Sequence, residues 1–496
     1  MDWPLTIVVS LYLIGIFALS IYASGQVHDE ADYVVAGRRL PLWLAWGTLM
    51  ATWFGAATVL GAAEAARDEG VRGTLLDPFA SGLALIVAGL FFAKPMWEMK
   101  LLTVGDFFAQ RYGPRAELVA SFLLIPGYLG WVGAQFVALG NLQEIFFGVP
   151  TAGGILIAAV IILAYTWIGG MWSVTLTDTL QLGVLLVGML ILGFSVFSHL
   201  GDGSPVNGVS RLFQETEPEK LTLLPEPGLP AAMLWLGTLA SGMFGNIPGQ
   251  DLMQRVFAAN SAKTASRACV LAGVIYILFG LLPIGMGLGS LLLEVEANPQ
   301  GILGTLAHEF LSPMLKAVFV VSLISIIVST ATSAVLSPAT VLAHNLFGRF
   351  TSFGRRPLLM ERTAVLLVVI GSVVMAYTGE TILGLLETSV ATVLVGLFVP
   401  LVVGIYGRRH RERAALLAML LGIGVWAGRE LLEAILLPPA EDVAAADYPA
   451  LVAATIQPRW LATVGYYFAL LPSSLSGLIA SIAGYAIGSL GKSKSE

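Results

Sequence analysis

The chain has 496 residues, of which 57% are hydrophobic and 12% charged, with a mean hydropathy of +0.84 and a formal net charge of −6. That balance is too apolar for a soluble globular protein and places the chain among polytopic membrane proteins. There is no GxxxxGK[ST] loop, no HExxH and no GxSxG, so an ATP-driven pump or a hydrolase has no support and no enzyme is expected. One cysteine, Cys269, in an apolar run leaves no disulfide framework and no thiolate metal site.

A membrane-crossing helix needs about 20 apolar residues. Thirteen stretches qualify, near 5–25, 42–65, 74–96, 116–141, 151–169, 176–199, 230–248, 265–290, 314–346, 362–378, 382–406, 413–429 and 463–489. Of the 26 Lys and Arg, 18 fall on alternate loops or at their edges, among them Arg38, Lys100, Arg111, Arg255, Arg355, Arg408 and Lys492. The positive-inside rule makes those loops cytoplasmic, with the N-terminus outside and the C-terminus inside. The acidic outer runs 213–220 and 440–447 supply much of the net negative charge. Met1–Pro4 is too short and lacks the basic start of a cleavable signal, so the first span is expected to stay.

The first span reads as a plain peripheral helix. The second carries Gly47, Gly55 and Gly61 with Thr48, Thr52 and Thr58 between them, and Trp53 near its middle. Glycines there serve either close helix packing or an unwound stretch whose free carbonyls hold an ion. Trp53 is either core or the wall of a substrate site. The third span holds Asp77, which as an intramembrane carboxylate is a functional candidate, although its place near the outer end also suits a solvated or capping role. The run 94–113 mixes charge with aromatics and reads as one amphipathic surface helix. Pro126 is expected to kink the fourth span, which also carries Tyr128, Trp131 and Gln135. A tight Gly-Gly turn at 169–170 precedes Asp178, which needs either a cation or solvent at the cytoplasmic mouth.

Residues 200–229 form an outer loop rich in Gly, Pro and Glu. The next span ends in SGMFGNIPGQDLMQR (241–255), a second glycine-broken helix. Two interrupted spans in corresponding positions point to an inverted-repeat transporter, with repeats over 42–199 and 230–406 and peripheral helices over 413–489, all in one domain spanning 1–496. The ninth span is apolar yet holds Ser322, Ser325, Ser329, Thr330, Thr332, Ser333 and Ser337. Ser329, Thr332 and Ser333 share one helix face and Thr330 opens a second. Uncharged hydroxyl oxygens suit a hard monovalent cation that must be bound and released; the alternative for each alone is a bond to its own backbone. Glu387, Thr388 and Ser389 on the eleventh span are candidates to face the cavity, and His344 reads as structural.

The stretches AGRRLPLW (36–43), YTWIGGMWSVTLTDTLQ (165–181) and VSTATS (328–333) resemble the sodium:solute symporter family, and AGRRLPLWLAWGTLMATWFGAATVLGAAEA (36–65), GLFFAKPM (89–96) and IPGQDLMQRV (247–256) resemble its choline-transporter branch. The resemblance implies an all-α protein with a LeuT-type five-plus-five inverted repeat. It implies a sodium site from the carbonyls of Ala51, Phe54 and Ile326 and the side chains of Ser329 and Thr330. It implies a second possible sodium site at Asp178, Ser329, Thr332 and Ser333. Trp53 and Trp131 match two aromatic positions that cage a quaternary ammonium; Gly249 and Ser81 stand where the branch has two further aromatics, and Asp77 offers a counter-charge. The function implied is sodium-coupled import of a choline-like cation or zwitterion across the cell membrane. The alternatives are a monocarboxylate or amino-acid symporter of the same fold, a non-transporting solute sensor and a sodium leak. The expected partners are the small solute, co-transported sodium and the lipid bilayer, with no nucleic acid and no obligatory protein partner.

Overall fold

The computed structural model describes residues 3–27, 30–296, 301–348, 357–378, 382–436 and 470–490. Among them the architecture is all-helical, the one strand-like feature being an isolated bridge between Leu40 and Ala259. Among the described residues nine helices, not the thirteen expected, are long and apolar enough to cross a membrane, or ten if the bent pair Leu42–Trp53 and Ala57–Glu69 is one span. The run 440–447, the basic residues 349–356, the first part of the span expected at 463–489 and the tail 492–496 lie outside the described residues.

In chain order the helices are α1 (Trp3–Ser24), α2 (Glu30–Val35), α3 (Leu42–Trp53), α4 (Ala57–Glu69), α5 (Val71–Glu98), α6 (Val104–Tyr112), α7 (Pro114–Phe147), α8 (Thr151–Trp167), α9 (Gly170–Leu200), α10 (Pro205–Glu215), α11 (Leu229–Ala240), α12 (Gln250–Ala258), α13 (Ala262–Leu292), α14 (Ile302–Phe310), α15 (Pro313–Phe347), α16 (Pro357–Ala376), α17 (Ile382–Tyr406), α18 (Glu412–Leu436) and α19 (Ser473–Ser489). Local chemistry sets many of the ends. Pro114 and Pro313 open their helices, where a missing N–H costs nothing. Gly148 closes α7 in the left-handed region. Gly170, at φ 62°, separates α8 from α9.

α15 is the axis of the molecule: nearly every residue from Phe319 to Val341 is buried, and it packs against α3, α7 and α9. α1 is the contrast, with most of its side chains turned outward, as expected of a peripheral helix.

Three local expectations differ from the structure. The run 94–113 is not one helix: its first residues finish α5, and α6 begins afresh at Val104 behind a capping box in which Thr103 and Asp106 each bond the other's backbone N–H. The outer loop contains α10, started by Ser204 accepting from Asn207 N. Arg255, read as a cytoplasmic loop charge, is 1% exposed inside the bundle. The positive-inside rule treats each charge singly, and a cation paired with buried acids escapes it.

Candidate functional site

The site is built on the gap between α3 and α4, where the chain bends by 61°. Phe54 leaves the helical region at φ −76°, ψ 63°, and Gly55 N turns back to Trp53 O at 2.8 Å instead of reaching Ala51 O. The carbonyls on the C-terminal side of the break therefore look for donors elsewhere. Ala51 O accepts from Thr330 Oγ1 at 3.1 Å. Trp53 O accepts from Tyr276 Oη at 2.9 Å and from Thr58 Oγ1 at 3.3 Å. Across the gap, Ala56 N donates to Gln135 Oε1 at 3.1 Å. A Cβ on Gly55 would stand 2.8 Å from both Oγ1 and Cγ2 of Thr330, so only glycine lets the broken helix and α15 approach this closely.

Of the residues expected to hold sodium, Ala51 and Thr330 are in direct contact; Phe54, Ile326 and Ser329 are buried, and Ser329 bonds Asp178. Of the four residues of the second set, three come together. Asp178 is fully buried rather than at a solvated mouth. Its Oδ1 accepts from Ser329, and its Oδ2 accepts from Thr48 Oγ1 at 2.7 Å and Ser333 Oγ at 3.3 Å. Thr332 turns away and donates to Ser329 O at 2.9 Å.

The five residues expected around a substrate line two adjoining cavities that share Trp131, Asn246 and Leu386 as walls. Trp53, Asp77, Ser81 and Trp131 line the first, with Gly55, Gln135 and Tyr276. Trp131 and Gly249 line the second, with Tyr128, Asp251 and Ser389. Asp77 is 3% exposed, which settles against a solvated role. Its Oδ1 accepts from Tyr276 Oη at 2.8 Å and its Oδ2 from Thr58 Oγ1 at 3.0 Å. Among the described residues no cationic side chain lies within 4.0 Å of it. Trp53 is fixed by its indole N–H, which donates to Asp251 Oδ2 at 2.6 Å, and Tyr128 donates to Asp251 Oδ1. A Cβ on Gly249 would meet Asp251 Oδ1 at 2.7 Å, so the absent side chain at 249 and the carboxylate at 251 go together. Ser389 faces the cavity, whereas Glu387 and Thr388 are exposed.

Arg255, Asp251 and Tyr276 are central here; the sequence reading gave Asp251 and Tyr276 no role and Arg255 only that of a loop charge. Asp251 and Arg255 lie four apart on α12, a spacing that puts acid and base on one face and was available as a signal. Tyr276 gave none: it reaches Asp77 from α13, 199 residues away in sequence.

The family model described as the sodium:solute symporter family matches residues 33–422. The chain is 27% identical to a high-affinity choline transporter of Caenorhabditis elegans over 84% of its length and 75% of that protein. It is 26% identical to the sodium/pantothenate symporter of Escherichia coli over 83% of its length and 87% of that protein. In fold it is similar to a substrate-bound, outward-open sodium-coupled sialic acid symporter, with a TM-score of 0.76 at 17% identity over 98% of this chain and 96% of that one. With the family match spanning most of the chain and a LeuT-type fold around a broken helix, the protein belongs to the sodium:solute symporter family.

Proposed function

We propose that this chain imports a small organic cation, choline-like in size and charge, together with sodium across the cell membrane. The observation that carries the substrate class is Asp77: a buried carboxylate with no cationic side chain beside it among the described residues, in a cavity walled by Trp53 and Trp131. A carboxylate in that setting is costly until a cation joins it. Aromatic faces add attraction for a poorly hydrated ammonium, worth about 0.5–2 kcal/mol each. The choline-transporter similarity supports the same class, while the pantothenate symporter keeps a carboxylate substrate as the alternative.

Sodium would bind at Ala51, Phe54, Ile326, Ser329 and Thr330, between the broken helix and α15. Occupied, it would hold these two elements together and favour the outward-open state, so that the sodium gradient drives uptake. The segments 42–199 and 230–406 would be the inverted repeats, each with an interrupted helix at the midplane, at 54–56 and 246–249, and 413–489 would be peripheral. The N-terminus would be outside and the C-terminus cytoplasmic.

The test is charge movement in proteoliposomes on a solid-supported membrane. Choline, betaine, proline, acetate, lactate and glucose are applied with and without sodium. A sodium-dependent current for choline is the expected result. A current for carboxylates alone would overturn the cation reading and keep the symporter. A solute that binds without any current would point to a sensor.

A further inference from the structure

A cavity of about 240 Å³ lies between α1, α7, α8 and α15. It shares no lining residue with the two cavities around Trp131. Ile324 and Val328, one turn apart, are its α15 wall. At about 100° per residue, their face lies roughly half a turn round the helix from Ile326, Ser329 and Thr330. The cavity is therefore behind α15, on the side away from the broken helix. Beside it, Tyr12 of α1 is hydrogen-bonded to Ser325 of α15, which sets the spacing of its walls.

Its chemistry is graded along its length. Ser10 lies near the start of α1 and Gln143 one turn from the end of α7, so the polar wall is at the end towards the membrane surface. Leu13, Ile161, Ile324 and Val328 make the deeper part. Water suits that part poorly, because a buried water needs about three polar partners. The amide protons of Gln143 are also spent, on Leu139 O at 3.2 Å and Gly154 O at 3.0 Å. Among the described residues that line the cavity none is charged, so it offers nothing to an ion.

Hydrocarbon suits it on both size and access. An apolar cavity of about 150 Å³ already takes up benzene, and this one is larger. Ile157, in its wall, is 44% exposed, and Leu11 on α1 and Val160 on α8 are exposed beside it. In a chain that spans a membrane such faces meet lipid tails rather than water.

We propose that this cavity is a binding site for one acyl chain of a membrane phospholipid, which enters between α1 and α8 and packs against the back of α15. Ser10 offers its hydroxyl to an ester oxygen of the same lipid at the polar end. The bound chain becomes part of the packing that holds α15, from the side opposite the proposed sodium ligands. The site is defined without reference to the transported solute.

The test is photolabelling in proteoliposomes with a phosphatidylcholine that carries a diazirine midway along one acyl chain, the labelled residues being read by peptide mass spectrometry. Label on Ile324 or Val328 is expected, in addition to label on Leu11 and Val160. Ile324 and Val328 are buried, so lipid reaches them only through the cavity. Label confined to the outward-facing residues would overturn the proposal. In Ala158→Phe, whose ring would take up space in the cavity, label on α15 is expected to be lost while label on Leu11 and Val160 stays. A folded variant that keeps its α15 label would also overturn it. If Ala158→Phe fails to fold by gel filtration, Ser10→Phe, at a more exposed lining position, makes the same comparison. A free photoreactive hydrocarbon that labels α15 where the phospholipid does not would assign the cavity to a small apolar molecule and sink the lipid reading. Neither sodium nor solute enters the readout, so its failure is separate from any failure of the transport reading.

Discussion

Tyr276 Oη lies 2.8 Å from Asp77 Oδ1 and 2.9 Å from the carbonyl of Trp53. A single hydroxyl from α13 thus touches both the acid proposed to receive the substrate and the break that would receive sodium. Its one proton can serve only one acceptor at a time, and Thr58, which also bonds Tyr276, covers the other. A cation placed at Asp77 would weaken that oxygen as an acceptor and free the phenol for Trp53 O, which would stiffen the broken helix beside the proposed sodium ligands.

Tyr276→Phe removes this link while keeping the ring. A hydrogen bond to a charged group is worth about 1.5–3 kcal/mol, so the KM for the organic cation is expected to rise by about 10-fold or more. The half-saturating sodium concentration should rise with it. Uptake measured over a sodium series checks this; an effect on the organic cation alone would show that the two sites are not joined through Tyr276.

Asp77→Asn keeps shape and removes charge. Losing one partner of a buried charge pair costs about 2 kcal/mol or more, close to 30-fold in affinity for a cation. Sodium binding without solute should be kept, since Asp77 contacts none of the proposed sodium ligands, with at most a modest gain as Tyr276 turns to Trp53 O. Trp131→Leu should cost less, about 0.5–2 kcal/mol. Isothermal titration with choline in saturating sodium reads both. A variant Asp77→Asn that binds choline as the wild type does would remove the counter-ion role.

Gly55→Ala tests the closest approach in the site. The added methyl would stand 2.8 Å from Thr330 Oγ1 and Cγ2 and 3.1 Å from Gln135 Oε1. Forcing a methyl into a packed interface costs about 1–3 kcal/mol. Here the cost falls on the Thr330–Ala51 contact, so sodium affinity should drop at least about tenfold with a smaller loss in thermal stability. Adding Thr330→Ser removes Cγ2 and should recover part of the affinity. No recovery in the double variant would locate the strain elsewhere.

Much of this site could be read from the sequence because it rests on local patterns. Glycines that break a helix mark its interruption, and the hydroxyls of Ser329 and Ser333 at i and i+4 mark the face of α15 that meets Asp178. What could not be read depends on contacts between distant segments. Burial of Asp77 follows from Tyr276 and Thr58 closing over it, and no local feature announces that. Arg255 was hidden by a rule that counts charges without their partners. The separation of α6 from α5 was legible in principle, since Thr103 and Asp106 have the spacing of a capping box; the mixed charge and aromatics around them suggested a continuous amphipathic helix instead.

That capping box gives a prediction about stability rather than transport. Asp106 Oδ2 accepts from the backbone N–H groups of Leu102 and Thr103 at 3.1 and 3.0 Å. Its Oδ1 accepts from Asn345 Nδ2 at 3.1 Å and lies 3.3 Å from His344 Nε2, which gives His344 the structural role expected of it. Burial pushes the Asp106 carboxyl up, but the His344 contact and the two backbone donors together outweigh it and hold the group below its ordinary value. Its carboxylate is therefore worth more to the folded than to the unfolded chain. That contribution is fully present above the unfolded value of about 3.9 and is lost as pH falls through the lower folded value. Asp106→Ala should cost about 1 kcal/mol as a lost cap. Its melting temperature should fall short of the wild type throughout pH 8 to 5, by a margin that does not shrink as the imidazole of His344 gains its charge beside Asp106, and that narrows only under stronger acid. Thermal unfolding of both proteins across that range is the measurement. A margin that closes already above pH 5 would mean that the α6–α15 contacts do not hold the carboxyl down, and that α6 is anchored to the end of α15 by packing alone.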